Sequence, residues 1–107
     1  MRLSVETLNA VVDAEIAALP DDMRARLVRF AAIIEQAGLQ ALPREAARHL
    51  EDRLWELRMI CRDGISRAIY VTAAVRRVVI VPVFVKKTQK TPSRELEIAR
   101  QRLKVMR

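Results

Sequence analysis

The sequence predicts an α+β fold: a small antiparallel β-sheet in the order β-α-α-β-β-β-α, with helices packed on one face. Two changes of hydrophobic period predict it. Apolar residues recur at helical spacing through the first forty positions, at a spacing of two between 54 and 84, and at helical spacing again to the end. One strong turn signal, Asp63-Gly64 between two alternating segments, joins the first two of those strands into a hairpin.

Taken in order, Leu3 to Leu8 alternates weakly and predicts a short first strand. Val11, Val12, Ile16 and Leu19 recur near helical spacing over Ala10 to Leu19. Pro20 suits the first position of a second helix, with Asp21 and Asp22 in its electropositive first turn. Met23, Leu27, Phe30, Ala31 and Ile34 then form one apolar stripe, flanked by Arg24, Arg26 and Arg29 as surface charges, and Gly38 ends the helix. Residues 39–53 read as a polar connection containing at most a helical turn.

Three β-rich segments follow: "LWELRMI" (54–60), "ISRAIYVTAAV" (65–75) and "VVIVPVF" (78–84). "VRR" supplies the second reversal, and Pro82 demands an edge position or a bulge because it cannot donate to a ladder. Thr91-Pro92 reads as an N-cap and first helical residue, and Leu96, Ala99, Leu103 and Met106 mark one face of a terminal helix.

With 107 residues, 51% hydrophobic and 31% charged, the chain is read as one globular domain, 1–107. No apolar run is long enough to span a bilayer, and the acids within the first twenty residues argue against a secretory signal. A single cysteine, Cys61, cannot form an internal disulfide and suits a reducing cytoplasm. One Cys and one His cannot make a transition-metal site, so neither a metal nor any other cofactor is expected.

The charge is unevenly spread. Residues 1–53 hold seven arginines against nine acids, a net of −2, whereas residues 54–107 hold thirteen cations against four acids, a net of +9. All four lysines lie in the second half, three of them within "FVKKTQKTP" (84–92), a stretch without an acid. A localised basic surface of this kind is the electrostatic footprint of a protein that meets phosphate.

On the segment 54–60, alternation places Leu54, Glu56 and Arg58 on one face and Trp55, Leu57 and Met59 on the other. The second set, Trp55 included, reads as core, which leaves Glu56 and Arg58 on the open face of the sheet. On the next strand Arg67 shares a face with Ile69 and Val71, while Tyr70 shares the other with Ala68 and Thr72. Either parity buries apolar residues, so pattern leaves Arg67's face open. If it joins Glu56 and Arg58, two guanidiniums stand beside a carboxylate. His49, in "AARHL", reads as a surface or capping residue, and Cys61 as a small apolar residue at a strand end.

"LWELR", "RAIYV" and "FVKKTQKTPSRELEIARQR" together resemble the RelE/HigB toxin superfamily, in its branch of phage-derived host-killing proteins, over roughly residues 50–103. The resemblance implies the toxin of a type II toxin–antitoxin system. Such a toxin is a metal-independent endoribonuclease that cuts mRNA on the ribosome by 2′-hydroxyl attack and so inhibits translation. It implies a cognate helix-turn-helix antitoxin as partner, with operator DNA met only through the toxin–antitoxin complex, and no membrane.

Carried over by motif, Arg58 is the arginine of "ELR", and Arg67 is the arginine that contacts the scissile phosphate. Lys86 and Lys87 follow the last strand as catalytic candidates, with Glu56 as a further candidate base. Lys90, Tyr70 and Arg94 are the expected RNA-binding residues, Tyr70 by stacking on a base unless it fills the core. Where relatives commonly carry histidine-glycine before the last strand's aromatic, this chain has Pro82-Val83. The competing reading is a non-catalytic RNA- or DNA-binding module of the same fold.

Overall fold

The computed structural model describes residues 3–62, 64–73, 77–85 and 93–106. The elements are β1 (Ser4–Thr7), α1 (Ala10–Ala17), α2 (Asp21–Ala37), a 3-10 turn (Leu39–Ala41), β2 (Ala47–Glu51), β3 (Leu54–Cys61), β4 (Gly64–Ala73), β5 (Arg77–Val85) and α3 (Ser93–Val105). The five strands form one sheet in the order β1-β5-β4-β3-β2. β1 runs parallel to β5, and the other three pairings are antiparallel.

Local chemistry accounts for the boundaries. The Asn9 side chain accepts hydrogen bonds from the Val11 and Val12 amides at 3.0 and 3.2 Å, capping α1. Pro20 is the N-cap of α2 rather than its first helical residue, and its carbonyl receives the Arg24 amide at 3.0 Å. Met23, Leu27, Phe30 and Ile34 bury the predicted stripe, and Gly38, at φ +90°, turns the chain out of the helix.

Strand pairing of β3 with β4 runs to Cys61↔Gly64, and Asp63 of the predicted turn lies outside the described residues. Gly64 sits at φ +143°, where an L side chain is strained, and an added Cβ would lie 3.2 Å from the Met23 methyl. Gly64→Ala is therefore expected to destabilise the fold by about 1–3 kcal/mol, read as a lower urea midpoint with an unchanged slope.

The strand β2 lies within what the sequence reads as a polar connection. Its five residues, ARHLE, have no apolar alternation because only one edge of it pairs and much of it is exposed. A tight turn at Asp52, which adopts φ +46°, returns the chain into β3; aspartate is among the few residues that tolerate that conformation. Pro82 lies at the predicted bulge, where pairing jumps from Ala68↔Val83 to Tyr70↔Ile80.

Both faces of the sheet are covered. The α1 and α2 side chains pack with Leu57, Met59, Ala68, Tyr70, Val78, Ile80 and Val83, as the one-face reading expects. The terminal helix is the exception. In α3, Ala99, Leu96 and Leu103 pack on Leu54, Ile69, Val71, Val79 and Val81, the opposite face. β1 ends at Thr7, so among the described residues β5 beyond Ile80 has no strand on that edge, and side chains take the ladder's place. The Val83 amide donates to Glu15 at 3.2 Å, and Arg102 donates to the Val81 carbonyl while pairing with Glu15 at 2.8 Å. A second clamp, Arg100 with Glu51 at 2.7 Å, fixes α3 to the end of β2 and holds the Glu51 carboxyl below its ordinary range.

Candidate active site on the sheet

Register decides the face that pattern left open. Arg58 and Arg67 are direct cross-strand partners, so they share a face, and Glu56 lies on it two residues from Arg58. Two arginines opposite one another repel, and the diagonal carboxylate offsets this. Arg67 Nη1 donates to Glu56 Oε2 at 2.9 Å, and Arg48 of β2 stands 3.5 Å from Oε1. On its other side Arg67 is in register with Phe84 of β5.

This is the face that α3 covers, not an open one. Glu56 and Arg67 are 0% and 1% exposed, whereas Arg58 and Arg48 reach solvent in part. A guanidinium and a carboxylate removed together from water form a rigid charge-assisted pair whose partners cannot be exchanged cheaply. Glu56 is thereby engaged as the group that orients Arg67, an arrangement unlike that of a solvent-reachable base. Arg58 differs: its Nε is screened from water and has no hydrogen-bond partner among the described residues.

Lys86, Lys87 and Lys90 lie outside the described residues. The chain enters that segment from Val85, which pairs with Ser66, next to Arg67. Arg94 is exposed in the first turn of α3. Tyr70 belongs to the core against α1 and α2, on the face opposite Arg67, and at 2% exposure it offers no ring for a base to stack on. Trp55, read as core, is 37% exposed at the sheet's margin, where its ring meets His49 edge-on at 5.1 Å. Cys61 is half-buried at the end of β3, as expected.

Burial pushes the Tyr70 hydroxyl up to about 12. The neutral phenol's contribution to stability is complete below the ordinary tyrosine value of 10 and is lost as pH rises toward 12. Because Tyr70 is the single tyrosine, tyrosinate absorbance in an alkaline titration is expected to stay flat through pH 10 and rise only near 12. A rise centred on pH 10 with the fold intact would show the ring in contact with water.

Two residues of this region are not legible as site residues in the sequence. Arg48 lies in the unrecognised β2, and only its pairing with Glu56 across the ladder brings it to the carboxylate. Arg26, read as a surface charge flanking a helical stripe, joins Arg58 at the rim of a cleft of about 190 Å³. Its i, i+4 relation to Phe30 is the one signal that could have placed it there.

Among solved structures, an arginine double mutant of the E. coli toxin RelE in its free state matches this fold with a TM-score of 0.58. The alignment is 12% identical and covers 100% of both chains. No curated protein matches in a sequence search. The family model described as phage-derived protein Gp49-like matches residues 14–104, most of the chain. The α+β sheet and the position of "LWELR" and "RAIYV" on adjacent strands give the chain a RelE-like fold, and by the family match it belongs to the phage-derived Gp49-like family.

Proposed function

We propose that the chain is the toxin of a type II toxin–antitoxin pair, an endoribonuclease that cuts mRNA on the translating ribosome. The observation that carries this reading is the juxtaposition of Arg58 and Arg67 on neighbouring strands, with Arg67 oriented by Glu56. In the reaction a 2′-hydroxyl attacks the adjacent phosphorus, the bond to the 5′-oxygen breaks, and a 2′,3′-cyclic phosphate and a free 5′-hydroxyl result. Negative charge builds on the phosphoryl oxygens in the transition state, and preplaced guanidiniums stabilise it most where water is excluded. Arg58 and Arg67 take that role. Glu56 acts as a positioning residue, and proton transfer falls to Lys86 and Lys87. Lys90 and Arg94 extend the cationic track along the RNA.

Arg67 is covered in the resting fold, so RNA entry requires the cover on that face to open. The cognate antitoxin, a helix-turn-helix protein, would hold the toxin inactive and carry it to operator DNA. Primer extension on one mRNA, with and without translating ribosomes, tests the reading. Codon-phased 3′-ends that form only with ribosomes support it, and ends in both samples mean a free-standing RNase. Absence of new ends from a folded, RNA-bound protein favours the second reading, a non-catalytic binding module. The burial of Glu56 and Arg67 as a pair is the observation that speaks for that module.

A further inference from the structure

Where β3 runs past the start of β2, no strand among the described residues pairs with its edge, and the cleft lies there. Pairing with β2 begins at Ala47↔Leu57, after one amide–carbonyl bond of 2.7 Å from Arg58 to Ala46. Phe30, Pro43, Ala46 and Ile60 give the cleft apolar walls, with Arg26 and Arg58 as its cations and Glu45 as its acid. Ile60 is 59% exposed, a large apolar side chain held in water. A second depression, lined by Asp22, Ala25, Arg26 and Arg29, shares Arg26 and continues one helical turn along α2. Asp22 is in part committed to its own helix, accepting from the Met23 amide at 2.9 Å. Arg26, Arg29 and Arg58 form no ion pair among the described residues.

We propose that this cleft at the edge of β3 holds one nucleotide of a single-stranded RNA, its base against Ile60, Pro43 and the Phe30 edge and its phosphate on Arg26 and Arg58. The inference rests on the RNA-cutting reading for the role of Arg58 and deepens it by adding a subsite outside the sheet face. The cleft, about 190 Å³, has room for a flat ring system. Its chemistry is divided as a nucleotide's is: apolar surface for a π-face, and two guanidiniums for phosphate oxygens. Arg58 lines this cleft, is half-exposed and forms no ion pair among the described residues, so its guanidinium has no competing carboxylate there. Arg29, one turn on, stands where the next phosphate would pass.

The test uses the full chain and a fluorescein-labelled 2′-O-methyl hexauridylate, which cannot be cut, with binding followed by anisotropy across a salt series. Arg26→Ala is expected to weaken binding at least about fivefold and to lower the log–log salt slope by about 0.7, while Arg26→Lys keeps the slope. Ile60→Ser is expected to weaken binding about tenfold with the slope unchanged, the signature of a lost apolar contact. Wild-type affinity and slope in both variants would overturn the subsite. So would hexaglutamate displacing the probe as effectively as unlabelled hexauridylate, since the cleft would then serve an acidic peptide. Primer extension on the same proteins separates the two readings. A wild-type chain that cuts nothing while the variants keep this split retains the subsite and loses the RNase, whereas cutting with no change in binding loses the subsite alone.

Discussion

Glu56→Ala is expected to cost about 3–5 kcal/mol of folding stability, among the largest effects of any single substitution in the sheet. Its carboxylate is wholly buried and lies 2.9 Å from a guanidinium that is itself 1% exposed. Truncating it strips a buried cation of this counter-charge, and the desolvation already suffered is no longer offset. Arg67→Ala is expected to cost less, because the half-exposed Arg48 remains 3.5 Å from Glu56. Against a total stability of roughly 5–15 kcal/mol, either single variant can approach the unfolding threshold.

The double replacement Glu56→Leu with Arg67→Met removes both charges at similar volume and is expected to be neutral or stabilising. Urea unfolding of the wild type, Glu56→Leu, Arg67→Met and the double variant completes a double-mutant cycle. A coupling below about 1 kcal/mol would mean the pair is not desolvated as described. The folded double variant also isolates chemistry from folding: under the proposed function it binds antitoxin and ribosome and leaves mRNA intact. Cleavage at the wild-type rate would make the pair purely structural.

Much of the architecture is legible in the sequence because its signals are local. The stripe from Met23 to Ile34, the apolar spacing of α1 from Ala10 and the change of period at Leu54 each depend on a few neighbouring residues. What escapes is set by partners distant in sequence. The strand β2 is polar because it is an edge, and its identity comes from its pairing with β3. The placement of α3 follows from the second apolar face of β4 and β5, whose residues read the same on either parity. Trp55 looks like core by alternation, but it lines an open depression with Leu39, Gln40 and Thr72 that leaves it part-exposed.

The candidate site was half legible for the same reason. Motif resemblance picks out Arg58 and Arg67 and alternation adds Glu56, but their common face is a matter of register, which runs to the Cys61↔Gly64 pair. A shift of one residue in that register would send Arg67 to the α2 side and exchange it with the core. The same alternation allowed Tyr70 to be read as a stacking platform, although register commits it to the opposite core.

Arg58→Ala is expected to reduce single-turnover cleavage about 10²–10³-fold, the loss measured when one preplaced donor is taken from a developing oxyanion. Its effect on stability should have the other sign or none. Arg58 Nε is a buried donor without a described partner, and such a group costs about 1–3 kcal/mol when left unsatisfied. Truncation removes that cost and forfeits some contact of the aliphatic stem, so the urea midpoint should hold or rise slightly. A residue that folding would sooner lose and cleavage cannot spare is the expected mark of a functional strain. Arg58→Lys keeps the charge but not the two-pronged grip, and should recover only part of the rate. Were Arg58→Ala to cut at the wild-type rate, transition-state stabilisation would pass to Arg67 and the lysines after β5, and Arg58 would be left to the cleft it shares with Arg26.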